Sequence, residues 1–132
     1  MIIALKTDSS TTNLVLLDAA GKELDHDQWE SGRQLSSQLL EHIHNLLQRH
    51  NRSWEALSGV VIFRGPGSFT GLRIGVTVAN TIAYAQGIPI VGTMGEQWVG
   101  QGVRRLVAGE SDTQVLPHYG ANANITKPGS AA

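Results

Sequence analysis

The chain has 132 residues, a length that favours one domain with its own hydrophobic core. Its 41% hydrophobic, 16% charged composition and net charge of −1 suit a soluble globular protein but provide no basic stripe for nucleic acid, so any RNA is expected to be held only indirectly. The absence of cysteine excludes disulfides, thiolate metal sites and cysteine nucleophiles.

Taken in chain order, Ile2 to Lys6 is a short apolar run that reads as a buried strand. It carries no basic segment followed by an apolar one, and no apolar run approaches membrane-spanning length, so a cytoplasmic protein is expected. Thr7 to Asn13 is a polar turn by composition, Leu14 to Leu17 a second strand, and Asp18 to Lys22 a hairpin connection. Glu23 to Glu30 alternates loosely around Leu24 and Trp29 and completes an antiparallel meander. From Arg33 to Arg49 the period becomes helical, with Leu35, Leu39, Ile43 and Leu46/Leu47 on one face. Asn51 to Leu57 reads as a connector with one helical turn in which Trp54 packs inward. Gly59 to Phe63 is the most hydrophobic run and suits a central strand covered on both faces.

Arg64 to Gly75 follows that strand and opens the second helix, which reads as Leu72 to Gln86. A glycine loop in this position resembles a phosphate cradle. Neither well-known spacing is present, since no glycine precedes a lysine and hydroxyl at P-loop distance and Thr70 stands where the dinucleotide pattern needs its third glycine. The same residues serve as a tight turn in which Ser68 or Thr70 caps the helix. Along the helix, Gly71, Gly75, Ala79 and Ala83 recur every four residues and form one stripe. A glycine within a helix costs about 1 kcal/mol relative to alanine, so Gly75 needs a compensating contact such as the close approach of another backbone. Leu72, Ile74, Val76, Val78, Ile82 and Ala85 spread apolar surface over the other faces, which points to cover on more than one side. Either a partner protein or the first helix of this chain supplies that second cover. Ile88 to Val91 is a further strand, Met94 to Val107 a glycine-weakened helix, and the remainder is polar. One domain over residues 1–108 and an extended, partly mobile tail over 109–132 are expected. The element order predicts an α/β fold, a mixed sheet with helices on its faces.

Gly65 to Gly75, reading GPGSFTGLRIG, resembles the signature of the TsaB family, accessory subunits in the bacterial synthesis of threonylcarbamoyladenosine on tRNA. The likeness extends from the first helix through Val91. It implies a ribonuclease H-like lobe of the actin/Hsp70/sugar-kinase type. It further implies a non-catalytic scaffold without a cofactor, which binds and stabilises its paralogue TsaD, the transferase, through the two helices. A TsaE-like ATPase joins that pair, and members of the family form homodimers through the same surface when alone. Carried onto this chain, the partner interface comprises Leu39, Ile43, Leu72, Gly75, Val76, Ala79 and Ala83. Gly65, Gly67, Ser68, Thr70 and Gly71 form a structural loop.

The chain departs from the family pattern in several places. Thr7-Asp8-Ser9 stands for Asp-Thr-Ser, Leu35-Ser36 opens the first helix in place of His-Ser, and most of a second lobe is missing. Pro117-His118-Tyr119 resembles the closing Pro-x-Tyr of longer relatives. The alternative function is a minimal nucleotide-binding lobe with its own phosphate chemistry, in which Asp8 handles phosphate or magnesium. The first turn has no glycines for backbone approach to phosphate. No two of His26, His42, His44, His50 and His118 are four residues apart, so the paired-histidine metal site of TsaD-like enzymes is not predicted. Gly-x-Ser-x-Gly is absent around Ser68, and Trp29, Trp54 and Trp98 are too dispersed for a base-stacking platform. Arg64 and Arg73 flank the loop as candidate contacts to a partner's carboxylate or phosphate.

Overall fold

The computed structural model describes residues 1–120. Five strands, β1 (Ile2–Lys6), β2 (Thr11–Leu17), β3 (Glu23–Glu30), β4 (Gly59–Phe63) and β5 (Ile90–Thr93), form one sheet in the order β3-β2-β1-β4-β5. β1 pairs antiparallel with β2 and parallel with β4; β3 extends the antiparallel side and β5 the parallel side. The short connections of the meander permit antiparallel pairing, whereas the parallel strands need crossovers. These crossovers are α1 (Leu35–Gln48), preceded by a 3-10 turn at Gly32–Gln34, and α2 (Phe69–Gln86). A third helix, α3 (Trp98–Val107), follows β5.

Alternation along the strands divides the core into two clusters. Ile3, Leu5, Leu14, Leu16, Val60 and Ile62 face α1 and α2, joined by Leu39, Ile43, Val76 and Ala79. Ile2, Ala4, Leu17, Val61, Phe63 and Val91 face α3 and its Trp98. Every residue of β4 is buried, as its continuous apolar run requires for a strand covered on both faces. Each large aliphatic side chain placed there contributes roughly 1.5–3 kcal/mol through removal from water. This is the ribonuclease H-like lobe of actin-type α/β proteins implied by the resemblance.

Several element boundaries differ from the sequence expectation for local reasons. β2 starts at Thr11 rather than Leu14, because Thr12 is buried and its hydroxyl meets that of Ser31 at 2.7 Å. α2 starts at Phe69 rather than Leu72, with Ser68 as its N-cap accepting from the Gly71 N–H at 3.4 Å. β5 is displaced to Ile90–Thr93, past Pro89. α3 starts at Trp98 because Gly95 adopts φ +84°, which breaks the helical path from Met94. Trp54 lies half-buried in a 3-10 turn over Trp54–Ala56. Residues 111–118 run beside β5 and return to Arg64; the tail expectation for residues 121–132 lies outside the described residues. No helix among the described residues is long and apolar enough to cross a membrane.

Candidate partner interface on the two-helix face

α1 and α2 lie side by side over one face of the sheet, each presenting a wet outer side. α1 is held on its β3 flank by a row of polar contacts. The His42 ring stacks on Trp29 with centroids 3.6 Å apart and its Nδ1 lies 2.8 Å from the Asp27 carboxylate. The Trp29 indole N–H donates to Gln38 at 3.1 Å. Immediately past the end of the helix, His50 and Arg49 both reach Asp25, at 2.9 and 3.1 Å. Burial pushes the Asp25 carboxyl up, but hydrogen bonds from His50, the His26 amide and Arg49 outweigh it and leave the group below its ordinary range. Two of the five histidines are thus tied to carboxylates of a neighbouring strand. Among the described residues no three His, Cys, Asp or Glu side chains gather as a metal-holding group.

α2 is seated differently. A Cβ on Gly71 would run into the carbonyl oxygen of Thr7, and one on Gly75 into the Thr7 side chain. Thr7, at the end of β1, is fully buried and donates its hydroxyl to the Gly71 carbonyl at 2.8 Å. Ala79 and Ala83 continue the same stripe into the core, at 0% and 4% exposure. The close neighbour that Gly75 demands is therefore supplied by this chain itself, as the side chain of Thr7 just past β1. This corrects the expected interface. Leu39, Ile43, Leu72, Gly75, Val76, Ala79 and Ala83 are all buried by the chain itself, and none is available to a partner in the folded monomer. The small-residue stripe reflects helix-on-sheet contact, which a linear pattern does not distinguish from helix-on-partner contact.

The outward face of α2 carries Thr70, Arg73, Ile74, Thr77, Val78, Thr81 and Ala85, positions that recur at i, i+3 and i+4. Two shallow depressions lie along it against α1. One, of about 310 Å³, is bounded by Ser36, Arg73, Ile74, Thr77 and Val78. The other, of about 300 Å³, is bounded by Leu40, Trp54, Thr81 and Ala85. Leu40 projects from α1 with 48% of its surface exposed. These residues were missed by the stripe pattern; the signal that marks them is apolar content on the face opposite the glycines.

The glycine loop is used internally. Gly67 packs on the backbone and Cβ of Asp8, and the Ser68 N–H donates to the Asp8 carbonyl at 2.8 Å. The Asp8 carboxylate is held by Lys6 at 2.8 Å, whose ammonium also lies over the Phe63 ring. Gly65, at φ +131°, lies beneath the His118 carbonyl, while Thr70 and Ser68 remain exposed. Arg73 extends over the Phe69 ring, and Arg64 donates to the Leu116 carbonyl at 3.0 Å. These contacts make the loop a junction between β4, α2 and the β1–β2 turn.

Comparison with known proteins agrees with this architecture. The family model for TsaD, tRNA N6-adenosine threonylcarbamoyltransferase, matches residues 29–96, just over half of the 132-residue chain. The TsaB biosynthesis protein of Bacillus subtilis (strain 168) is 48% identical over 48 residues, covering 36% of this chain and 21% of the relative. That of Escherichia coli (strain K12) is 30% identical over 73 residues, covering 55% and 32%. The solved structure of YeaZ from Pseudomonas aeruginosa superimposes with a TM-score of 0.64 at 28% identity, covering 70% of this chain and 43% of that one. The chain thus matches about a fifth to a third of the length of these curated relatives. The match over residues 29–96 shows that the chain belongs to the family this TsaD model describes, and its similarity to TsaB proteins is supported by sequence and fold alike.

Proposed function

We propose that this chain is a non-catalytic subunit in the threonylcarbamoyladenosine modification of tRNA. It binds and stabilises a TsaD-like enzyme through the outer face of α1 and α2. The observation that carries this reading is the pair of depressions between the helices, lined by Leu40, Ile74, Val78 and Ala85 with hydroxyls of Ser36, Thr77 and Thr81. That face mixes apolar surface with few charges, Arg73 excepted, as the centre of a protein interface does. A subunit that binds the active arrangement of its partner stabilises it by mass action, without chemistry of its own. In the absence of that enzyme, two copies pair through the same face. A TsaE-like ATPase joins the heterodimer, and tRNA is met only through the enzyme.

The alternative, a minimal nucleotide-binding lobe, has less support. The Ser68 amide and the Asp8 carboxylate, the groups such a site would employ, already have partners in the chain. The test is Thr77→Arg, an exposed position where added bulk and charge leave the core untouched. Circular dichroism and melting should match those of the parent, while co-elution with the TsaD-like enzyme is lost. Retained co-elution would remove the two-helix face from the interface. Calorimetry of the parent with ATP and magnesium separates the alternative, which requires micromolar binding by the isolated chain.

A further inference from the structure

The β5 edge of the sheet is covered by a segment that is not a strand. The Asp112 N–H donates to the Ile90 carbonyl at 2.7 Å, but the return bonds come from side chains. The Gly92 N–H donates to an Asp112 carboxylate oxygen at 2.8 Å, and the Ile90 N–H to the Ser111 hydroxyl at 3.3 Å. Beyond Asp112 the chain is pinned at separate points. Val115, at 3% exposure, inserts over Gly92, where a Cβ would leave no room for it. The Asn80 amide of α2 pairs with both backbone groups of Val115, each at 2.9 Å. The His118 N–H donates to the Arg64 carbonyl at 2.7 Å, and the Tyr119 ring lies 4.5 Å from that of Phe69.

We propose that residues 111–119 are a releasable strap on the β5 edge, with Asp112 as the latch. Val115 is the segment's one deeply buried side chain; Ser111 to Gln114 are exposed, and Leu116 is 64% exposed. A segment with so few apolar contacts opens at lower free energy than the strands it covers. Asp112 differs from the other anchors because one carboxylate binds both the sheet edge and α3. It receives the Gly92 amide and the fork of Arg105, whose Nη1 lies 3.0 Å from Oδ2 and whose Nη2 bonds Oδ1. Arg105 also holds Glu110 at 2.8 Å and donates to the Gly92 carbonyl at 3.3 Å, so the residue preceding the strap and the latch share one guanidinium.

The charged groups facing Asp112 are Arg105 from α3, Arg64 just past β4 and, through Arg105, Glu110 immediately before the strap; α2 offers the neutral Asn80. The Arg105 hydrogen bond is the main cause that holds the Asp112 carboxyl below its ordinary range, against the upward push of burial. A depressed carboxylate strengthens the closed form above its unfolded pKa, and that contribution is lost as pH falls through the folded value. The strap therefore loosens on acidification. An open strap leaves the Ile90 carbonyl, the Gly92 amide and the Val115 socket uncovered, with the rest of the sheet intact.

Hydrogen exchange on the intact chain tests this, read as protection factors at the amides of Gly92, Val115 and His118 against that of Ile62 in β4. In Asp112→Asn, protection at the three strap-dependent amides should fall by about tenfold, the scale of a hydrogen bond to a charged group, with Ile62 unchanged. The parent should show the same selective fall as pH is lowered through the carboxylate range, and Asp112→Asn should not. Loss of protection in step at all four amides would show that the segment opens only with global unfolding, and unchanged protection in Asp112→Asn would show that the carboxylate is not the latch. Either result overturns the proposal.

Discussion

Gly75→Ala separates the two accounts of the α2 stripe. In a helix whose glycine faces solvent or an absent partner, the substitution gains about 1 kcal/mol of helix propensity. Here the new methyl would meet the Oγ1, Cβ and Cγ2 of Thr7, a side chain with no exposed surface and so nowhere to retreat. Overpacking of a close-fitting core costs about 1–3 kcal/mol. Displacing the Thr7 hydroxyl from the Gly71 carbonyl adds about 0.5–1.5 kcal/mol. The propensity gain offsets part of this, leaving a net loss of roughly 1–3 kcal/mol. Urea denaturation of the monomer should show a lower midpoint with an unchanged slope. In a Thr7→Ala background the clash is partly relieved, so the double variant should lose less than the sum of the single changes. A stabilised Gly75→Ala protein would refute the seating of α2 on Thr7 and return the stripe to the role of a partner surface.

Ser68→Ala removes the α2 N-cap; because its bond to the Gly71 amide is long, 3.4 Å, the loss should lie near the low end of the usual range, about 0.5 kcal/mol, read from thermal melts. Asp25→Asn should flatten the acid limb of the stability curve, because a carboxyl held below its ordinary range contributes stability above its unfolded pKa that disappears as pH falls through the folded value. The check is a urea midpoint measured from neutral to acid pH in both proteins; parallel curves would count against the Asp25 cluster.

The pattern-rich elements were legible from sequence and the long-range contacts were not. The uninterrupted apolar run of β4 and the 3.6-residue period through Leu35, Leu39, Ile43 and Leu46 have few competing interpretations, and both elements stand where they are expected. The beginning of β2 was hidden because Thr11 and Thr12 have turn-like composition; the buried partner that draws Thr12 into the sheet, Ser31, is nineteen residues distant. The need for a close neighbour at Gly75 was visible, yet its supplier, the Thr7 side chain, was not, since Thr7 precedes it by 68 positions and reads locally as part of a polar turn. The seven residues carried over from the resemblance as an interface include Gly75, Ala79 and Ala83 of that stripe, which this ambiguity left open to an external partner. The strap was equally hidden, for Asn80 and Asp112 are polar residues with no period, and only folding makes them ligands for a backbone.

The seating of α2 has an evolutionary consequence. Its height above the sheet is set by main-chain atoms of Gly71 and Gly75 resting on Thr7, so the inward side tolerates almost no variation. On the outward side, Ile74 and Val78 still lean on the core, but Thr70, Arg73, Thr77 and Thr81 are exposed and take no part in that placement. Substitutions at positions such as Thr77 and Thr81 can therefore accumulate while the platform stays where it is, so the exposed chemistry of this face is free to diverge without the lobe being re-engineered beneath it.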